Sequence, residues 1–207
     1  MTGGARAAAL LLVDPLPAPP APPGIDPTRF ALAMWEDVAD LLSQLAGVDA
    51  VIAHTAARRD DAVAISWPGT ILLEVDDHAG PIDALAAMAR RGYGVGAVVA
   101  ADAPDLPGLV IAKPFSALSS ALAAVAPSDN GGAVVLAGRL PLPDWLTAAG
   151  GNLDDDDLSE RLQQAAPRRR DVRITPAWHR LRSPADVGRL DPGLEGWEAT
   201  RALLEGS

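Results

Sequence analysis

The chain has 207 residues, 19 glycines, 19 prolines and no cysteine: long enough for one domain with a sizeable core, and without a thiol for disulfides, thiolate metal sites or a cysteine nucleophile. Lys+Arg is 17 against Asp+Glu 27, a net charge of −10 that repels nucleic-acid backbones at long range, and Lys113 is the only lysine. No apolar run approaches the roughly 18–20 residues that span a bilayer, so no membrane association and a cytoplasmic location are expected.

Residues 7–13, apolar without alternation, predict a first strand buried on both faces; a secretory signal is disfavoured by Asp14 and the prolines that follow. Residues 14–27 hold seven prolines and read as an extended loop, either a merely solvated one, a lid or a partner-docking segment. Asp26 and Pro27 then open a helix, with Phe30, Met34, Val38, Leu41, Leu42 and Leu45 at three- and four-residue steps. Strands are predicted over 48–54, 62–67 and 70–75, a helix over 81–91, and a fully apolar strand over 95–101. Further on come a helix over 113–125, a strand over 132–138, a short helix over 143–149 and a helix over 154–166 whose first turn is acidic. A strand over 171–175 and C-terminal helices within 184–205 complete the pattern. Apolar strands alternating with amphipathic helices imply a single α/β domain over residues 1–207, with a mainly parallel central sheet.

In such sheets ligands bind beyond the carboxyl ends of the strands. The strand ending near Ala101 leads into Asp102-Ala103-Pro104-Asp105. Asp102 is there a candidate anchor for a divalent cation bridging phosphate oxygens, or a residue that caps the following turn. A second candidate is Ser128-Asp129-Asn130-Gly131-Gly132, whose glycines permit close backbone approach; an ordinary strand-entry turn has the same composition. The acidic run Asp154–Asp157 lacks calcium-loop spacing and reads as first-turn acids complementing a helix dipole. Arg168–Arg170 reads as a solvated run after a helix end, with an anion patch as the alternative. His54, His78 and His179 have no ligand spacing. Trp145 and Trp178 are the tryptophans to consider for stacking on a sugar or base.

Ala101-Asp102-Ala103-Pro104-Asp105-Leu106-Pro107 and Pro127-Ser128-Asp129-Asn130-Gly131-Gly132, in that order and spacing, resemble two motifs of a bacterial glycosyltransferase-A-like family known as a domain of unknown function. That family is similar in fold to the 2-phospho-lactate guanylyltransferases. The resemblance implies a Rossmann-like three-layer glycosyltransferase-A-like sandwich and a nucleotide-sugar or nucleotidyl transferase. It implies Mg²⁺ or Mn²⁺ at Asp102, and a nucleotide or nucleotide sugar against Asp105, Asp129, Asn130, Gly131, Gly132 and Arg182. Three departures stand against it. The family's lysines after the first strand are missing from Val13-Asp14-Pro15 and the proline tract. The arginine of its Gly-Asp-Leu-Gly-Glu-Arg-Met segment before the central strand is missing from Asp77-His78-Ala79-Gly80-Pro81-Ile82-Asp83. Its late Asp-Val-Asp is replaced by Arg180-Leu181-Arg182. If Arg182 pairs with Asp102, its guanidinium competes with the metal and the non-catalytic reading gains; if Asp186 or Asp105 faces Asp102 at metal distance, the enzyme reading gains. The implied function is a divergent transferase-like protein with reduced or no catalysis, or a non-catalytic nucleotide-binding or interaction module.

Overall fold

The computed structural model describes residues 4–13 and 21–206, so the first half of the expected proline-rich loop (14–20 of 14–27) lies outside the described residues. The elements run β1 (Arg6–Leu12), α1 (Pro27–Ser43), β2 (Asp49–His54), α2 (Arg59–Ala64), β3 (Ile71–Glu74), α3 (Pro81–Arg90), β4 (Val95–Val99), α4 (Gly108–Ala117), β5 (Ala123–Pro127), β6 (Ala133–Arg139), α5 (Asp144–Ala149), α6 (Leu158–Ala165), β7 (Val172–Ile174) and α7 (Glu198–Glu205), with 3₁₀ turns at Ala56–Arg58, Arg169–Asp171 and Pro184–Arg189.

The strands form one sheet in the order β3-β2-β1-β4-β6-β5-β7. β1 pairs parallel with β2 and β4, β2 with β3 and β5 with β7, while β6 runs antiparallel between β4 and β5. Alternation along β1 sends Ala8, Leu10 and Leu12 to one face, against Phe30, Met34 and Val38 of α1. Ala7 and Ala9 go to the other face, shared with Leu85 and Met88 of α3 and Leu158 and Leu162 of α6. Both faces are covered by helices, which is why β1 and β4 read as unbroken apolar runs. The chain leaves β1 toward β2 on one side and returns through α3 to β4 on the other. The carboxyl ends of β1 and β4 therefore flank a topological switch point at the middle of the sheet, where the crevice of an open α/β fold forms.

Several expected elements shift. The strand expected over 62–67 is instead the end of the helix α2, to Ala64, and the turn after it, because Asp60 and Asp61 favour a helical first turn and Ala62 and Ile65 bury at three-residue spacing. The helix expected over 113–125 starts earlier, at Gly108, and ends at Ala117. Its remaining alanine-rich stretch becomes β5, because a slot between β6 and β7 is available and tertiary burial outweighs alanine's helical propensity. The acids Asp154–Asp157 precede α6, which begins at Leu158, rather than forming its first turn.

Candidate active site

Asp102 lies in the turn beyond β4, the central strand of the seven, at the switch point. The segment after β7 runs back across this end of the sheet. Trp178 N–H donates to Pro127 O at 3.1 Å, Asp129 N–H to Trp178 O at 3.0 Å, and Leu181 N–H to Asp102 O at 2.7 Å. Leu181 turns its side chain into the core at 1% exposure, so its extended neighbours Arg180 and Arg182 project the opposite way, over the sheet end.

The arginine that reaches Asp102 is Arg180, not Arg182. Its Nε donates to Asp102 Oδ1 at 2.6 Å and its Nη2 to Asp102 Oδ2 at 3.0 Å. Nη2 also lies 2.7 Å from Asp154 Oδ1, and Nη1 donates to Leu153 O at 3.0 Å and Ala133 O at 3.3 Å. All five guanidinium N–H groups thus have acceptors, on a side chain only 5% exposed. Asn130 fixes the backbone behind it, donating from Nδ2 to Arg180 O at 2.8 Å and accepting from Arg180 N–H at 3.3 Å. Ser128 Oγ donates to the same Asn130 Oδ1. Arg182 binds one step outward: Nη2 donates to Asp154 Oδ1 at 3.1 Å and Asp154 O at 3.2 Å, and Nη1 lies 3.7 Å from Asp156 Oδ1. The displacement by two residues follows from the anchor at Leu181: both arginines share one side, and only the first sits over the turn of residue 102.

Burial pushes the Asp102 carboxyl above its ordinary value, and the charge and hydrogen bonds of Arg180 pull against that rise. For Arg180, burial works to lower the pKa, but the charges and hydrogen bonds of Asp102 and Asp154 outweigh it and raise it. Asp102, Asp154 and Asp156 with Arg180 and Arg182 therefore form one cluster of paired charges at the end of the central strand.

The other candidates distribute around this cluster. Gly131 and Gly132 have φ of 103° and 72°, conformations that L side chains rarely adopt. A Cβ at Gly132 would collide with Leu153 O, and one at Gly131 with the Asp156 carboxylate. The two glycines let the 128–132 turn pack onto the 153–156 loop, whose carbonyls and carboxylates hold the arginines. Asp129 sits at the rim, paired with Arg189 at 2.5 Å. Asp105 is elsewhere: its carboxylate is fully buried, accepting from Trp178 Nε1 at 3.3 Å and Asp191 N–H at 3.1 Å, with His179 Nε2 3.1 Å away. It ties down the crossing segment and has no open face toward the cluster. Trp178 stacks on His179 with centroids 4.8 Å apart, so one ring face is occupied. The sequence reading gives Arg180 no site role and takes Asp154 and Asp156 for helix-start acids, whereas the structure brings all three into the cluster. The available signal was that Arg180-Leu181-Arg182 puts an arginine in both carboxylate positions of the resembled motif.

The donor set decides whether a divalent cation fits. A cation at Asp102 needs free carboxylate oxygens, and both oxygens of Asp102 accept from Arg180. Among the described residues no group of three or more His, Asp or Glu is placed to hold a metal ion. The residues present do not fit a metal while Arg180 stays in place.

Solved structures share the fold closely. A candidate nucleotide-diphospho-sugar transferase of Desulfovibrio desulfuricans G20 superposes with a TM-score of 0.66 at 14% identity, covering 98% of each chain. The chain has the nucleotide-diphospho-sugar transferase fold. CMP:2-keto-3-deoxy-manno-octonic acid synthetase, complexed with CTP, matches at a TM-score of 0.60 and 14% identity over 97% of this chain and 98% of the other. Glucosyl-3-phosphoglycerate synthase of Mycobacterium tuberculosis, in complex with Mn²⁺, UDP and phosphoglyceric acid, matches at 0.57 and 13% identity over 99% of this chain and 78% of that one. No family model matches the chain, and no curated protein matches its sequence. Among the described residues no helix is long and apolar enough to cross a membrane.

Proposed function

We propose that this transferase-fold chain binds a nucleotide or nucleotide sugar without a divalent cation at Asp102, and that metal-dependent group transfer there is reduced or lost. The observation that carries the reading is the saturated Arg180 guanidinium, which occupies both oxygens of Asp102 with a permanent positive charge. Nucleotide binding is supported by the fold and by the position of Asp102 at the topological switch point of the sheet. CTP and UDP in the structural neighbours point the same way. In this reading Asp102 holds Arg180 and ligates no metal. Arg182, 28% exposed, is the cation available to a diphosphate, and Asn130, Gly131 and Gly132 form the backbone turn beside it. Asp129 stands at the rim, and Asp105 positions the crossing segment.

Thermal shift of the full chain against nucleoside diphosphates and nucleotide sugars, with EDTA, Mg²⁺ or Mn²⁺, tests this, since a ligand selective for the native state raises its melting temperature. The expected result is stabilisation by a nucleotide that is unchanged by the cation, and weaker in R182A. Cation-dependent stabilisation with turnover would overturn the metal-independent part; no stabilisation by any nucleotide would overturn the binding part.

A further inference from the structure

Arg189 takes no part in the pairing at Asp102, yet it stands on the same rim. It closes the 3₁₀ turn Pro184–Arg189, in which Asp186 accepts from Arg182 N–H at 3.1 Å and from Ser183 N–H and Oγ at 2.8 Å each. The other oxygen of Asp186 lies 3.9 Å from Arg189 Nη1, so one carboxylate fixes the short segment that carries both Arg182 and Arg189. Both guanidinia reach the 128–132 turn. Arg189 Nη2 lies 2.5 Å from Asp129 Oδ2. A Cβ at Gly131 would sit 3.1 Å from Arg182 Nη1 and collide with the Asp156 carboxylate, so glycine there keeps open a place for an anion beside Arg182, now taken by Asp156. Two residues of chain, at most about 7 Å, separate positions 129 and 131.

Charge limits how a further anion enters. Around this rim the five carboxylates of Asp102, Asp129, Asp154, Asp156 and Asp186 face the three guanidinia of Arg180, Arg182 and Arg189. A diphosphate cannot simply add to that surplus; it has to take the place of carboxylates. Three of the five are held: Asp102 by two donors of Arg180, Asp154 by Arg180 and Arg182 together, and Asp186 by its three turn donors. Asp129 and Asp156 remain, 47% and 83% exposed at their side chains and each on a single arginine. Exposed pairs of this kind contribute little and cost little to break. The arginine fork that matches a carboxylate matches a phosphoryl group equally well. We propose that Arg182 and Arg189 together hold the two phosphoryl groups of a diphosphate, and that Asp129 and Asp156 are internal stand-ins that the diphosphate displaces. This rests on the reading above that the site takes a nucleotide, and adds to it a second cation and a selectivity for two linked phosphoryl groups over one.

Isothermal titration calorimetry on the full chain in EDTA tests the proposal with pyrophosphate, orthophosphate and UDP. Pyrophosphate is expected to bind more tightly than orthophosphate, and R182A or R189A to erase that preference. D129N/D156N should tighten pyrophosphate binding roughly fivefold or more, by freeing both guanidinia. D157N removes a neighbouring exposed acid whose partner is Arg161, and should change the affinity less. In an R189A background D129N should have no further effect, since the two then share one interaction. Equal affinity for pyrophosphate and orthophosphate, R189A without effect, or D129N/D156N no tighter than D157N would overturn the inference; UDP binding that persists beside such results leaves the proposed function standing. Pyrophosphate responding as expected while no nucleotide binds would support the arginine pair and overturn the nucleotide reading. No binding of either would overturn both.

Discussion

Replacing Arg180 by alanine removes the cation from a site whose other members were placed around it. The substitution leaves the Asp102 carboxylate, 15% exposed at its side chain, without its two donors, and leaves the carbonyls of Ala133 and Leu153 short of theirs. Removing one partner of a buried ion pair costs about 3–5 kcal/mol, because a charge remains in low dielectric without compensation. For a domain of this size 1 kcal/mol shifts the melting temperature by roughly 2–4 °C, so R180A should melt roughly 6–20 °C below the wild type. The variant also uncovers something. Asp102 Oδ2 and Asp154 Oδ1 both lie within hydrogen-bond reach of the same Nη2, at 3.0 and 2.7 Å, so without the guanidinium two carboxylates converge on one empty position. Mn²⁺ should then recover part of the lost stability in R180A, have no effect on the EDTA-treated wild type, and have none on R180A/D102N. Differential scanning calorimetry with and without Mn²⁺ reads all three. Equal Mn²⁺ stabilisation of wild type and R180A would refute the reasoning, since the guanidinium would then not be what keeps a cation out.

Asp37 on α1, 3% exposed, accepts from the N–H groups of Ala199 and Thr200 at 2.9 Å each and so caps α7 from another helix. Burial pushes its carboxyl up from 3.8 to about 6 despite those donors. The native state therefore holds that proton more tightly than the unfolded chain, and this contribution to stability is present below pH 4 and declines as pH rises through 6. The decline amounts to at most about 3 kcal/mol. Urea unfolding at pH 4.5 and 7 should show the trend in the wild type and a weaker one in D37N; identical slopes would count against it. G132A should lose about 2–4 kcal/mol in chemical denaturation, because a positive φ and the fixed Leu153 carbonyl both oppose the new methyl. G131A shares the positive φ but meets only the movable ends of Asp156 and Arg182 and should lose less, a ranking that one pair of unfolding curves decides. D105A should destabilise the chain by about 1–3 kcal/mol by stranding the Trp178 and Asp191 donors, seen as increased hydrogen exchange over 178–191.

The periodicity of the chain was sufficient for the layered α/β class, because strands covered on both faces must be apolar throughout and helices covered on one face must be striped. It also placed Asp102 past a buried strand, since that depends only on local order: an apolar run, then a carboxylate, then proline. Local order could not say which strands neighbour which. Residues 123–127 have a helix former's composition and become a strand only because the sheet offers a slot. The choice between Arg180 and Arg182 was likewise beyond the sequence. Both arginines satisfy the same chemical pattern, and a single contact, Leu181 N–H to Asp102 O, sets which one lands over the carboxylate. Asp154 came into the cluster from a run that reads as helix-start acids, brought there by the close packing that Gly131 and Gly132 allow. Residue types and their spacing are set by the chain, whereas the pairing of charges separated by 78 and 26 positions is set by three-dimensional registration. Coulombic and hydrogen-bond energies fall off over a few ångströms, so a shift of two residues along one extended segment decides which charge Asp102 meets.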